Sequence, residues 1–315
     1  MFGLTKIRML IDGDPGIDDI MAISYALKSE KVKLEGVTTV AGNTTIDNAT
    51  KNALKILEII NGNEIPVARG TPKPILRELK TATDVHGEDG FGNLYLNPPK
   101  MKESDTHAVE FIIKTIMDNP KEIVLVSLGP LTNIAVALLI EPRLTGYVRE
   151  MVIMGGAIKV RGNVTSEAEF NIFTDPEAAK LVFHSGMPIT LVGLDVTMNT
   201  VLTPENLAVI EDADTSISLL IGQIIRHYMK FYKEIRGIDG CAMHDPLAVG
   251  VAIDKTLVKT EKAYVSVETK GELTLGKTVA DLGSVDRRHP ANMEVCLDVD
   301  SERFIQTFID ALKKR

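Results

Sequence analysis

Apolar and polar positions along this chain switch repeatedly between two periods. The run Ile7, Met9, Leu10, Ile11 is short and nearly continuous, as in a buried strand, and after a break at Pro15-Gly16 the residues Ile17 to Leu27 take up helical spacing. The same switch recurs, with Val32–Val40 reading as a strand and Thr45–Ile60 as a helix. Beyond a Gly/Pro-rich stretch, His107–Met117 reads as a helix, Ile123–Ser127 as a strand and Leu131–Leu139 as a helix. Val148–Ile153, Pro176–Phe183 and Ile189–Val192 continue as strand, helix, strand. Pro176 and Pro204 stand just inside helix starts behind Thr174-Asp175 and Thr203, a helix N-terminal signature. A longer amphipathic helix is expected over Ser216–Phe231 and a closing helix over Asp300–Leu312. Such alternation implies right-handed βαβ crossovers and a mostly parallel sheet with helices on both faces. Ala263–Val279 departs from it, with short strands around Gly271 and Gly276 that suggest a small antiparallel appendage near the C-terminus. No repeat, low-complexity tract or linker divides the chain, so the expectation is one α/β domain over residues 1–315.

Composition changes this picture only by exclusion. Ile123 to Ile140 carries no charge over 18 residues, but Gly129-Pro130 splits it into strand and helix, so it is not a membrane span. Charged residues at 25% and hydrophobic ones at 44% give the balance of a soluble globular protein. A formal net charge of −8 argues against a nucleic-acid partner, because domains that bind the phosphate backbone are usually basic. The two cysteines, Cys241 and Cys296, form no framework and suggest reduced thiols. Lys6 and Arg8 interrupt the first apolar stretch, so no secretory signal is read and the expected location is cytoplasmic.

The chemistry concentrates at the end of the first strand. Asp12, Asp14, Asp18 and Asp19 fall within eight residues. Asp12 and Asp14 share a strand face, and Asp18 and Asp19 open a helix whose positive dipole end favours anions. Carboxylates this close repel unless some are protonated or a cation joins them, and an all-oxygen donor set points to Ca²⁺ or Mg²⁺. A solvated acidic loop would explain one or two such aspartates but not four. Other connections carry polar residues at strand ends: Asn43 in AGNTT, the Leu128 carbonyl before Gly129-Pro130, Glu169-Phe170-Asn171, and His244-Asp245 in CAMHDP. Amide and carboxylate side chains at one rim suit hydroxyl groups, which both donate and accept. Together they suggest a cation beside a polyhydroxyl ligand, most simply a sugar. A divalent cation acidifies a water, a carboxylate takes its proton, and attack at an anomeric carbon passes through an oxocarbenium-like state. A histidine is then suited to protonate the departing group. The long irregular stretch from Gly70 to Met101, with His86 and Glu88 in HGEDGFGN, suits either an active-site lid or a surface excursion.

IDGDPGIDD resembles the aspartate signature of the nucleoside hydrolases, the inosine–uridine-preferring N-ribohydrolase group. The resemblance continues through TTVAGNTT, HGEDG, GPLTNIA, IMGGA, GNVTSEAEFNIFTDPEAA, VGLDVT, MHDPLAV and GELTLGKTVAD, in matching order over nearly the whole chain. It implies a single α/β domain and hydrolysis of a ribonucleoside to ribose and free base. It implies Ca²⁺ held by Asp14, Asp19, the Leu128 carbonyl and Asp245, with Asp14 also the general base. The position of Leu128 is often threonine in relatives, a departure of little weight if the contact is a backbone carbonyl. Asp18 would hold ribose hydroxyls, Asn43, Asn163, Glu169 and Asn171 would complete the sugar pocket, and Asp12 would support the cluster. Met154 and Phe170 would form apolar walls. His86 on a mobile loop, with His244 and Tyr232 near the leaving base, would close the far end, and His244 makes inosine a reasonable substrate. A homodimer or homotetramer is implied as well.

Two rival classes remain at this point. Haloacid-dehalogenase-like phosphatases open with a strand and a Mg²⁺-binding DxD, but continue with a small hydroxyl residue where this chain has Pro15-Gly16. A non-catalytic Ca²⁺-dependent nucleoside or sugar binder would keep the pocket without the chemistry. An EF-hand is excluded, since Ile23 stands where its glutamate is required.

Overall fold

A computed structural model describes residues 6–283 and 289–314. Its strands are β1 (Ile7–Gly13), β2 (Val32–Thr39), β3 (Val67–Arg69), β4 (Ile123–Ser127), β5 (Glu150–Met154), β6 (Ile189–Val192), β7 (Val201–Leu202), β8 (Cys241–Ala242), β9 (Val258–Val267), β10 (Thr278–Asp281) and β11 (Met293–Val299). Among the described residues nine of them form one sheet in the order β10-β9-β11-β6-β5-β4-β1-β2-β3, while β7 and β8 pair separately and antiparallel. From β3 to β11 neighbouring strands are parallel; β9 and β10 then join antiparallel.

Period-2 alternation in the strands divides the core into two layers. Met9 and Ile11 pack with the helices Ile17–Lys28, His244–Ile253 and Ser301–Leu312 on one face. Leu10 packs with Ala108–Met117, Thr132–Ile140 and Pro176–Phe183 on the other. Each fully buried Leu or Ile removed from water contributes about 1.5–3 kcal/mol. Thr45, His107, Asp175, Thr203 and Asp300 cap their helices through side-chain oxygens or nitrogens, so the starts read from sequence hold to within a residue. No helix among the described residues is long and apolar enough to cross a membrane.

The chain leaves β1 towards β2 and β3 on one side, and runs from β4 towards β5 and β6 on the other. The order therefore reverses between β1 and β4, and the crevice beyond the carboxyl ends of those strands is where open α/β sheets bind ligands.

The antiparallel appendage expected near the C-terminus is the β9–β10 hairpin, which extends the main sheet from β11, itself parallel to β6. Two features differ from expectation. Strands β3, β7, β8 and β11 were not read, being short or defined by partners distant in sequence. In the Gly70–Met101 stretch, His86 is not on a surface excursion: it ends a helical turn, Thr83–His86, and is buried. Phe91 is fully buried, the Asp89 carboxylate accepts the N–H groups of Phe91, Asn93 and Tyr95, and Asn52 donates to the Asp89 carbonyl. The positive φ angles of Gly87 and Gly90 serve these turns.

Candidate active site

The five aspartates singled out from sequence converge at the β1–β4 crevice, and all are buried. Asp12, at the end of β1, accepts from Thr38 Oγ1 at 2.6 Å and from Asn133 Nδ2 at 2.8 Å. Asp14 follows the strand and accepts the Asn43 N–H at 2.5 Å. Asp19 accepts the N–H groups of Asp14 and Gly16, both at 3.1 Å, tying the strand end to the first turn of the next helix. Asp245 lies in the first turn of the helix His244–Ile253, so helix N-termini present carboxylates from two directions. A Cβ at Gly42 or Gly129 would collide with the Asp14 carboxylate, so these two glycines give it room.

Electrostatically the cluster is incomplete by itself. One oxygen each of Asp12, Asp14, Asp18 and Asp245 is buried without a hydrogen-bond partner. Burial, then repulsion from neighbouring carboxylates, pushes Asp14 and Asp245 well above the usual carboxylate range and lifts Asp19 to about 8. Asp18 is also raised, chiefly by burial, with His244 pulling the other way. Oxygens of Asp18, Asp19 and Asp245 lie within 4.8 Å of one another. Unsatisfied, mutually repelling, oxygen-only donors fit a hard divalent cation. Asp18, expected to hold ribose hydroxyls beside the metal, belongs to this group geometrically. The Leu128 carbonyl accepts from Asn171 Nδ2 at 2.7 Å, which engages one of its two lone pairs.

Above the acids opens a cleft of about 820 Å³. Asp18, Asn43, His86, Leu128, Met154, Asn163, Glu169, Phe170, Asn171, Tyr232, His244 and Asp245 line it, while Asp12, Asp14 and Asp19 are not among its lining residues. Glu169 caps the short helix Phe170–Thr174, accepting the N–H groups of Asn171 and Ile172, and also that of Gly156. Asn163 accepts the Phe170 N–H through its side chain at 2.9 Å, and its backbone carbonyl accepts from Arg236 at 2.7 Å. His86 accepts the Ile17 N–H at 3.1 Å and stands 3.9 Å from Asp18; burial pushes it down to about 3. His244 has both ring nitrogens engaged, Nε2 with the Tyr232 hydroxyl at 2.7 Å and Nδ1 with Thr197 Oγ1 at 2.8 Å. Burial, against the opposing pull of Asp18, takes His244 to about 4, so at neutral pH the ring is a neutral imidazole with one N–H.

Tyr228, His227, Arg236 and Thr197 escaped the sequence reading. Tyr228 looked like one more apolar position of the helix Ser216–Phe231, yet its hydroxyl is 3.5 Å from Asp18 and its ring meets Tyr232 edge-on at 5.0 Å. The available signal was the i, i+4 spacing of Tyr228 and Tyr232, which puts both on one helical face.

This constellation is that of a cation-assisted hydrolase acting on a hydroxyl-rich substrate. A sequence model of the family described as inosine-uridine preferring nucleoside hydrolase matches residues 9–306, and the chain belongs to that family. It is 40% identical over 309 residues to the inosine-uridine preferring nucleoside hydrolase of Crithidia fasciculata, covering 98% of each chain. It is also 40% identical over 302 residues to the pyrimidine-specific ribonucleoside hydrolase RihB of Escherichia coli, covering 96% of this chain and 95% of that one. The solved structure of a purine-preferring ribonucleoside hydrolase from Gardnerella vaginalis superposes with a TM-score of 0.92 at 35% identity, covering 97% of this chain and 98% of the other. The protein is accordingly an enzyme, a ribonucleoside hydrolase that cleaves N-glycosidic bonds.

Proposed function

We propose that this hydrolysis depends on Ca²⁺ and acts on inosine and uridine, releasing ribose and the free base. The reading is carried by the four buried carboxylate oxygens without partners beside the cleft. Asp14, Asp19, Asp245 and the Leu128 carbonyl would hold the ion, which would neutralise the carboxylates and acidify a water. Asp14 would take the proton of that water as its oxygen bonds to C1′ and the glycosidic bond breaks. Asp18 faces the cleft from the acid cluster, where it suits ribose hydroxyls. Asn43, Asn163, Glu169 and Asn171 supply further donors and acceptors at the same wall, with Asp12 holding the cluster's base through Thr38 and Asn133. Met154 and Phe170 form apolar sides that keep water from the sugar. His86, Tyr232 and His244, which line the cleft, would stand beside the leaving base, and His244 with Tyr232 would donate to the charge that develops on it.

The relatives named above include both pyrimidine-specific and purine-preferring enzymes, so base preference here is read from His244 and Tyr232 towards inosine. A cytoplasmic enzyme of nucleoside salvage, assembled as a homodimer or homotetramer, completes the reading. Sedimentation at the monomer mass alone would exclude the assembly.

The experiment is a ribose assay with inosine or uridine, before and after chelation and again after adding Ca²⁺. Loss and recovery of ribose release support the reading. Release that survives removal of all bound calcium overturns its calcium part. Phosphate release from a phosphomonoester, or binding without ribose release, would point instead to the phosphatase or binder class.

A further inference from the structure

The VGLDVT segment lies beyond β6 on the same rim as the cleft, yet no role for it follows from the chemistry above. Its last residue, Thr197, ends the short helix Leu194–Thr197 and is fully buried. Thr197 Oγ1 lies 2.8 Å from His244 Nδ1 and has no other side-chain hydrogen-bond partner among the described residues. The opposite ring nitrogen, Nε2, faces the Tyr232 hydroxyl at 2.7 Å. We infer that Thr197 is a positioning residue for the leaving-group site, its hydroxyl fixing the ring plane and tautomer of His244 so that the imidazole N–H points at Tyr232 and the cleft. The inference rests on the reading of His244 and Tyr232 as the groups beside the departing base.

The direction follows from counting protons. What decides the row Thr197–His244–Tyr232 is whether Nδ1 or only Nε2 carries a proton, and a protonated Nδ1 has the same consequence for Thr197 in the neutral ring and in the imidazolium. If Nδ1 carried the proton it would donate to Thr197, and the Thr197 O–H would remain buried without an acceptor. If Nε2 carries it, Thr197 donates to Nδ1, Nε2–H donates to the Tyr232 oxygen, and the Tyr232 O–H turns to the neighbouring Tyr228 hydroxyl or to an acceptor in the cleft. The second arrangement leaves no donor stranded, and buried donors are rarely left unpaired. Polarised by the row behind it, the Tyr232 O–H would hydrogen-bond to the base as negative charge builds there; Thr197 itself transfers no proton.

Thr197→Val keeps the shape and removes the hydroxyl, and Thr197→Ser keeps the hydroxyl. For Thr197→Val we expect kcat on inosine to fall by about 10- to 100-fold, the range found when the partner that orients a metal-ligating histidine is removed. Nitrophenyl riboside, whose leaving group is a stable anion, should be turned over almost as before, and Thr197→Ser should keep most of the inosine rate. Equal losses on both substrates, an unchanged inosine rate, or a serine variant as slow as the valine one would each overturn the inference. Should the valine variant fail to fold, ¹⁵N shifts of the His244 ring in the wild-type enzyme decide the matter. The Nε2–H tautomer supports the row as drawn, and Nδ1–H overturns it. His244→Ala separates the two levels: equal loss on both substrates there removes the underlying reading. A selective loss there with an indifferent Thr197→Val removes only this inference.

Discussion

At the amino end of β1, Arg8 sits between Glu35 and Glu122 with N···O separations of 2.6 and 2.7 Å, and Asn119 accepts a further N–H at 2.7 Å. At the carboxyl end of the same strand, among the described residues, Asp12, Asp14, Asp19 and the neighbouring Asp245 meet no lysine or arginine. Four carboxylate oxygens around that end have no hydrogen-bond partner at all. One strand thus ends in paired, half-exposed charges that add modestly to stability, and in buried like charges that oppose it. Burying an uncompensated charge is expensive, so the carboxyl end persists only because the surrounding core holds it, and under the proposed function it would receive a cation and substrate. The contrast separates what maintains the fold from what performs chemistry.

The sharpest way to break the comparison is to remove a carboxylate at the acidic end. Asp14→Asn should lower kcat on inosine by about 10²–10⁴-fold, the usual contribution of a positioned base. In chelator, at a pH high enough to ionise the cluster, the same variant should melt higher than wild type, because one repelling charge is gone. Wild-type turnover would end the general-base assignment, and a lower melting temperature in chelator would end the claim that this end opposes folding. Asp19→Ala and Asp245→Ala should abolish tight Ca²⁺ binding, read by calorimetry, together with most activity. His244→Ala should slow inosine by roughly 10²-fold while sparing nitrophenyl riboside, since general-acid help matters only for a poor leaving group.

Smaller and more diagnostic is the pH dependence of stability, which should have opposite signs at the two ends. Asp19 is raised by burial and by Asp18 from 3.8 to about 8, so the folded protein keeps a proton that the unfolded chain has released. In chelator, stability should therefore fall as pH rises through that window. Calcium at about 100 times its Kd should add roughly 2.7 kcal/mol and flatten or reverse the slope. Glu35 behaves in the opposite sense: burial raises it, but hydrogen bonds from Arg8 and Lys33 outweigh burial and hold it below its usual 4.5. Its stabilisation is present above that value and disappears in acid. A melting temperature in chelator that climbs steadily from about pH 5 to 8 would contradict the assignment. Smallest of all, Arg8→Ala should cost about 1 kcal/mol or less in denaturant unfolding and leave kcat untouched, as partly exposed pairs do.

Much of the site was legible because local chemistry dictated it. Four aspartates around a strand end have few uses, and Asn43, Glu169, Asn171 and His244-Asp245 each stood at a break in apolar periodicity, where connections at the sheet's edge lie. Strands such as Ile123–Ser127 and Ile189–Val192 were readable to the residue because fully buried parallel strands are unbroken apolar runs. The β7–β8 pair was not, because two-residue strands carry no period of their own, nor was β11, whose interrupted apolar pattern becomes a strand only between β6 and β9. Tyr228 was hidden because an aromatic at helical spacing reads as core until a carboxylate is found against its hydroxyl.

The sequence by itself determined the alternation of strands and helices, the acidic strand end and the kinship with nucleoside hydrolases, because periodicity, turn residues and clustered charge are local properties. Tertiary structure alone decided that the order of strands reverses between β1 and β4, that His86 is pinned by the Ile17 N–H, and that Thr197 meets the far side of His244. Those facts depend on which segments the sheet brings side by side, and that is fixed by the packing of two core layers rather than by any single stretch of chain.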